Sequence, residues 1–212
     1  MYSTAINRLR STLKLTRNQR EVLIGSILGD GYLFPTVSGK YAYLRIAHSE
    51  RQKGYLIWKY RWFRDWVLTR PRYQLQNKSD HSKGGYWWFK TIAHPELLRM
   101  RRIFYPNREK IVPHNIGELL KSDLALAVWY LDDGTLAGRA LHLNTQSFSY
   151  QENQLLQHIL KRNFRIETTI NKSGGIGKGY ILHVGTKYTK ELLKRIDCFV
   201  PPSMRYKTFL TP

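Results

Sequence analysis

Two aspartates stand out because each closes an apolar segment and is followed at once by glycine. Asp30-Gly31 ends Leu23-Ile-Gly-Ser-Ile-Leu-Gly, and Asp133-Gly134 ends Leu126-Ala-Val-Trp-Tyr-Leu-Asp. Both segments are apolar or small on every side, so they read as helices buried all round that pack against each other. Gly25 and Gly29 lie one turn apart and permit close approach, with small Ala125 and Ala127 in the partner helix. Side by side, the two helices deliver Asp30 and Asp133 to one place. A carboxylate at a helix C-terminus meets the negative end of the macrodipole, and a second one beside it adds repulsion. That arrangement asks for a cation, and oxygen donors together with substrate phosphate suit Mg²⁺. The plain alternative, an Asp-Gly turn that merely ends a helix, accounts for one such segment better than for two matched ones.

Composition points the same way. The 212 residues hold 35 Lys+Arg against 15 Asp+Glu, a net charge of +20. A compact body so charged repels itself and calls for a polyanionic partner. Nucleic acid fits best, because Lys and Arg contacts to phosphate supply most non-specific affinity. A membrane surface fits less well, since the basic residues run from Arg8 to Lys207 and do not gather on one amphipathic helix. A basic ribosome-associated protein remains open on charge alone. With 14 Tyr and 6 Trp the chain can build a core, and its single cysteine, Cys198, excludes an internal disulfide and a cysteine zinc site. No apolar run approaches the roughly 18 residues of a membrane span, and the basic N-terminus lacks a signal peptide's apolar stretch. The expectation is an intracellular protein, made in an organelle (mitochondrion or chloroplast) or in a prokaryotic cytoplasm. The histidines show no nuclease-type clustering, and Gly175–Tyr180 lacks the Lys-Ser/Thr of a P-loop.

The elements that must position the aspartates occur twice. Thr16-Arg-Asn-Gln19 is a capping box opening the first apolar helix. A strand follows over 40–47, then a helix capped by Ser49 and running to about Val67, a hairpin of Arg72–Lys78 with Tyr86–Thr91, and a helix from Pro95 to about Phe104. In the second half, a helix over Ser122–Asp133 is followed by a strand over 140–145. A capping box at Ser149-Tyr-Gln-Glu152 then starts a helix to about Asn163, Arg165–Asn171 pairs with Tyr180–Val184, and Lys187–Ile196 is the last helix. Phe104-Tyr105-Pro106 precedes Lys110 as Phe199-Val200-Pro201 precedes Lys207. The chain divides into a repeat over 1–105, a linker over 106–121 and a second repeat over 122–212, related by a pseudo-two-fold axis.

With these residues in view, Leu23–Gly31 and Leu126–Gly134 resemble the two copies of the LAGLIDADG motif. The chain resembles the single-chain, two-motif, intron-encoded branch of LAGLIDADG homing endonucleases. Leu143-Asn-Thr-Gln-Ser-Phe148 and Pro202-Ser-Met-Arg-Tyr-Lys207 extend the likeness, which spans about Gln19 to Lys207. It implies an α+β fold of two pseudo-symmetric αββαββα repeats whose antiparallel strands form a DNA-binding β-saddle. It implies a monomeric, site-specific endonuclease that hydrolyses both strands of a long asymmetric duplex, with Mg²⁺ as cofactor. Mn²⁺ is expected to substitute, and Ca²⁺ to bind without supporting cleavage. Asp30 and Asp133 would hold metal, with Gly29 and Asp132 beside them. Lys110, Lys207 and Gln146 would complete the catalytic set, the lysines acting electrostatically or else anchoring phosphate. The counterpart of Gln146 is His48 or Ser49. Val128 stands where the motif usually has glycine, which implies a looser helix contact there. The same fold also supports two other readings, an RNA-binding maturase acting on its own intron and a non-cleaving DNA-binding regulator.

Strand parity nominates the DNA contacts. Arg72, Gln74, Gln76 and Lys78 share one face of their strand, as do Tyr43 and Arg45, His142 and Asn144, and Arg165, Glu167, Thr169 and Asn171. Arg70, Trp88, Lys90, Lys172, Lys178 and His183 flank them as further candidates. Arg, Gln and Asn are the side chains that bind base edges bidentately. A half-solvated sheet alternates in the same way, so only the residue types favour DNA. Trp87 and Trp88 point to opposite faces, and at least one is expected in the core.

Overall fold

The computed structural model describes residues 2–75, 84–174 and 179–209. Gln76, Lys78 and Lys178 lie outside the described residues. The chain runs α1 (Tyr2–Thr12), α2 (Arg17–Leu28), β1 (Tyr32–Pro35), β2 (Ala42–Ser49), α3 (Lys53–Trp62), β3 (Arg72–Leu75), β4 (Gly85–Lys90) and α4 (Pro95–Phe104). After α5 (Ile116–Leu119) the order repeats as α6 (Asp123–Asp133), β5 (Gly134–Ala137), β6 (Ala140–Leu143), α7 (Tyr150–Phe164), β7 (Thr168–Lys172), β8 (Tyr180–Val184) and α8 (Thr186–Ile196). Each half is αββαββα. The two antiparallel sheets have the same order, β1-β2-β4-β3 and β5-β6-β8-β7.

Helix starts follow the sequence signals closely. Thr16 with Gln19 and Ser149 with Glu152 both form reciprocal capping boxes, and Ser122 accepts from the Ala125 N–H. His94 caps α4 through Nδ1, which accepts from the Glu96 N–H at 3.1 Å. Ser49 is a correction: it makes no side-chain cap, and a 3₁₀ turn over Glu50–Gln52 separates β2 from α3. The helix predicted to run to Val67 breaks at Trp62, because Phe63 leaves helical geometry and a second 3₁₀ turn carries Trp66 into the core.

The two apolar helices form the centre of the molecule. Every residue from Val22 to Leu28 and from Leu124 to Leu131 is buried. A β-carbon built on Gly25 would fall 2.4 Å from the Ala125 carbonyl oxygen and 2.7 Å from Cβ of Val128. One built on Gly29 would fall 2.4 Å from Cβ of Asp132. The contact therefore advances along both helices together, which makes them parallel and brings their C-termini to the same end. Val128 does not loosen the contact, since the missing side chain at Gly25 is what accommodates it.

The remaining helices cover one face of the sheets, α3 and α4 against β2, α7 against β7 and β8, and α8 against β6. The linker is packed: Val112, Ile116 and Leu120 are buried, and Asn163 donates to the carbonyls of Gly117 at 3.0 Å and Leu120 at 2.7 Å. α1 rests on the first repeat through Leu9 and Leu13, and Arg10 Nε donates to the Ala93 carbonyl at 2.7 Å.

Candidate active site and nucleic-acid interface

Asp30 follows the C-cap of α2 and Asp133 is the last residue of α6, so the parallel packing sets both at one end of the helix pair. Neither carboxylate accepts a hydrogen bond among the described residues. Burial raises the Asp30 carboxyl, with Asp132 adding to it, and burial together with Asp30 and Asp132 pushes Asp133 up to about 7.

Two lysines approach the same helix ends. Lys110 Nζ donates to the carbonyls of Gly29 at 2.8 Å and Leu28 at 3.2 Å. Lys207 Nζ donates to Leu131 at 2.7 Å and Asp132 at 3.1 Å. These are the orphan carbonyls of the last turns, where an ammonium also meets the favourable end of the dipole. Lys110 arrives from the linker after the first repeat and Lys207 from a 3₁₀ segment over Pro202–Lys207 in the second, yet Lys110 meets the last carbonyls of α2 and Lys207 those of α6 at equivalent positions. Burial lowers the ammonium of both, while the three aspartates oppose that effect. Both are half-buried beside the helix ends.

Asp132 differs from its neighbours. Its side chain is wholly buried, and its two oxygens accept from Lys59 Nζ at 2.6 and 2.7 Å. Oδ2 also accepts the Asp30 backbone N–H at 3.1 Å. The ligand atoms of Asp30, His48 and Asp132 lie within 4.8 Å of one another, but the Asp132 carboxylate is already committed to an ammonium. His48, buried against the same carboxylates, has Nδ1 at 3.6 Å from Asp30 Oδ2 and no hydrogen-bond partner on Nε2. Burial, with Lys59 adding to it, pushes its imidazole down to about 3, so the ring is neutral.

Register separates the counterparts that the sequence leaves open. Arg45 pairs with Tyr32 two residues beyond Asp30, and His142 pairs with Thr135 two residues beyond Asp133. Counting on from these, Ser49 matches Gln146 and His48 matches buried Thr145, which bonds Asn153 at 2.5 Å. Gln146 is exposed in the turn after β6 and Asn144 N–H donates to the Asp133 carbonyl at 2.9 Å. Proximity and register therefore select different residues, His48 standing nearer Asp30.

The uncovered sheet faces carry most of the nominated contacts. In the first sheet Arg45 lies opposite Lys90, and Arg72 opposite Trp88, with Tyr43 and Gln74 on the same face. Arg45 stacks 4.9 Å over the Trp88 ring and donates to Tyr86 Oη at 3.2 Å. In the second, His142 and Thr169 both lie opposite His183, and Asn171 continues that face. Asn144 extends beyond β6 and donates to Thr135 Oγ1 at 3.0 Å.

Four nominated residues lie off these two faces. Arg165 does not begin a strand but is the left-handed C-cap of α7, with φ 62°. Glu167 precedes β7 and turns to Lys161 of α7 at 2.9 Å. Arg70 lines a cleft with Arg61 and Arg64 beside α3, and Lys172 has the opposite parity to Asn171 at the exposed end of β7. Neither tryptophan is fully buried: Trp87 faces the helix side half-buried and donates to Glu50 at 2.5 Å.

Among the described residues no helix is long and apolar enough to cross a membrane. The model of the LAGLIDADG DNA endonuclease family matches residues 20–192. The chain is similar to the cytochrome b mRNA maturase bI2 of Debaryomyces hansenii, with 27% identity over 91% of this chain and 74% of that protein. It is 28% identical to the DNA endonuclease I-ChuI of Chlamydomonas applanata, over 92% of this chain and 96% of that one. Among solved structures, the homing endonuclease I-WcaI bound to its DNA recognition sequence superposes with a TM-score of 0.88 at 23% identity, covering 98% of this chain and 93% of that one.

Proposed function

The chain belongs to the LAGLIDADG DNA endonuclease family, and on that premise we propose that it is a homing endonuclease hydrolysing both strands of a long asymmetric DNA target. The observation that carries this reading is the pair Asp30 and Asp133, two carboxylates that accept no hydrogen bond among the described residues, at adjoining helix ends; burial raises both, with Asp132 adding at each and Asp30 adding at Asp133. Such a donor set fits a hard divalent cation, Mg²⁺ by preference. Asp30 and Asp133 would hold it through their side chains, and the carbonyls of Gly29 and Asp132 face the same end. A divalent cation bound there supplies water of lowered pKa and stabilises charge on the phosphate oxygens.

The chain's own groups do the rest. Helix-end carbonyls hold the Lys110 and Lys207 ammoniums in fixed places, where a developing phosphorane charge is stabilised without reorganisation. Arg45, Lys90, Arg72, Gln74, His142, Thr169, Asn171 and His183 form the open sheet faces that would read base edges in the grooves. A monomer suffices, because one chain carries both carboxylates and both lysines.

The relative named as an mRNA maturase favours a second reading, intron RNA as an additional partner. Selection of cleaved sequences from a random duplex library with Mg²⁺, beside an EDTA control, tests the first reading. Metal-dependent recovery of one long sequence supports it. Splicing stimulation without any cleaved duplex would replace it by the second.

A further inference from the structure

Lys59 is the one lysine with no exposed surface among the described residues, and the hydrolysis outlined above does not use it. It lies on α3 of the first repeat and binds both oxygens of Asp132, in the last turn of the central helix of the second. Asp132 in turn accepts the backbone N–H of Asp30 at 3.1 Å. The chain of contacts thus runs from α3, across the pseudo-axis, and back to the residue that closes α2. Room for it exists because Gly29 has no side chain, a β-carbon there falling 2.4 Å from Cβ of Asp132.

The second repeat has no equivalent. Carried on along the chain, the register that matches His48 with Thr145 sets buried Leu56 and Lys59 of α3 against buried Asn153 and Leu156 of α7, so an apolar side chain stands where the ammonium would be. His48 likewise corresponds to Thr145, which is engaged by Asn153. Asp133 is the last residue of α6, and its N–H receives no carboxylate from the first repeat among the described residues, since the matching position there is Gly29.

We propose that Lys59 is a positioning residue for one of the two active-site carboxylates: through Asp132 it fixes the Asp30 end of α2, and cleavage of one strand depends on it more than cleavage of the other. This inference rests on the endonuclease reading above. A buried ion pair is not in itself evidence of stability, since apolar residues of similar volume often replace one at little cost. Its retention on one side of a pseudo-symmetric core is what calls for a role in geometry. Displacing a reacting group by about 1 Å costs on the order of 100-fold in rate.

Two variants test it. Lys59→Met leaves the Asp132 carboxylate buried without its cation and is prone to unfold. Lys59→Met/Asp132→Leu removes both charges together and keeps the volume, so it is the informative protein. Each strand of a selected target carries its own label, and cleavage of the two is followed separately in Mg²⁺. Amide hydrogen exchange of the metal-free protein is measured in parallel.

The expected result is a folded double variant that cuts one strand at least ~10-fold more slowly relative to the other than wild type does. The Asp30 amide should exchange faster, with the interior amides of α2 unchanged. Equal slowing of both strands, or an unchanged Asp30 amide, would overturn the proposal. Failure of the wild-type protein to cut any duplex is a separate outcome, and it would overturn the endonuclease reading on which the proposal stands.

Discussion

The Lys110 ammonium lies 2.8 Å from the carbonyl oxygen of Gly29, the residue immediately before Asp30. Lys207 stands in the same relation to Asp132, 3.1 Å from the carbonyl that precedes Asp133. Both lysines are thereby held by backbone carbonyls at the helix ends. Changing either to Met should lower the cleavage rate by roughly 100-fold, the scale of losing one preorganised electrostatic contact. DNA affinity in Ca²⁺ should change far less. A loss of affinity that accounts for all of the lost rate would return them to phosphate anchoring.

The sheet contacts make a different prediction. Arg45→Ala and Gln74→Ala should each relax specificity at a few adjacent base pairs, costing about 1–3 kcal/mol at the preferred base if the contacts are bidentate. Binding to a panel of singly substituted duplexes checks this. Uniform weakening across the panel would assign both residues to the DNA backbone instead.

Gly25 is fixed by packing, not by backbone conformation. An alanine there places its β-carbon 2.4 Å from the Ala125 carbonyl oxygen, with backbone on the opposing side that cannot swing away. Gly25→Ala should destabilise the protein by about 1–3 kcal/mol, the usual cost of overfilling a close contact. Thermal denaturation reads it directly. An unchanged melting temperature would mean that α2 and α6 separate freely.

Asp133 gives the metal-free protein a pH dependence. Its carboxyl is raised from 3.8 to about 7, first by burial and then by Asp30 and Asp132. The folded state holds this proton more tightly than the unfolded chain, so the stability it contributes is full below about pH 4 and is lost as pH rises through about 7. In EDTA, wild type should lose more stability between about pH 5 and pH 8 than Asp133→Asn does. Parallel profiles for the two proteins would show that the carboxyl is not perturbed.

Much of this architecture is legible in the sequence because local signals carry it. The capping boxes at Thr16 and Ser149 depend on residues three apart, and both were readable as helix starts. The all-apolar helices ending in Asp-Gly needed only their composition. β1 and β5 are harder, since Tyr32–Pro35 and Gly134–Ala137 follow the acidic turns directly and are too short to show alternation. Arg165 and Glu167 continue the parity of Thr169, but a left-handed residue ends α7 before any strand begins. Lys59 was invisible for another reason. In Lys53–Trp62 a lysine reads as a solvated position, and only a carboxylate from the other half of the chain makes its burial tolerable. His48 and Ser49 illustrate the same boundary, because register selects one and proximity to Asp30 the other.

The most direct test of the central claim is a plasmid carrying the selected target, incubated in Mg²⁺ with wild type, Asp30→Asn or Asp133→Asn, with binding measured in Ca²⁺ and in EDTA. Each substitution should suppress double-strand cleavage by roughly two orders of magnitude or more, leaving at most residual nicking. Binding in EDTA should hold or improve, because each removes a negative charge facing phosphate and relieves repulsion at the helix ends. Full double-strand cleavage by either single variant would contradict the account.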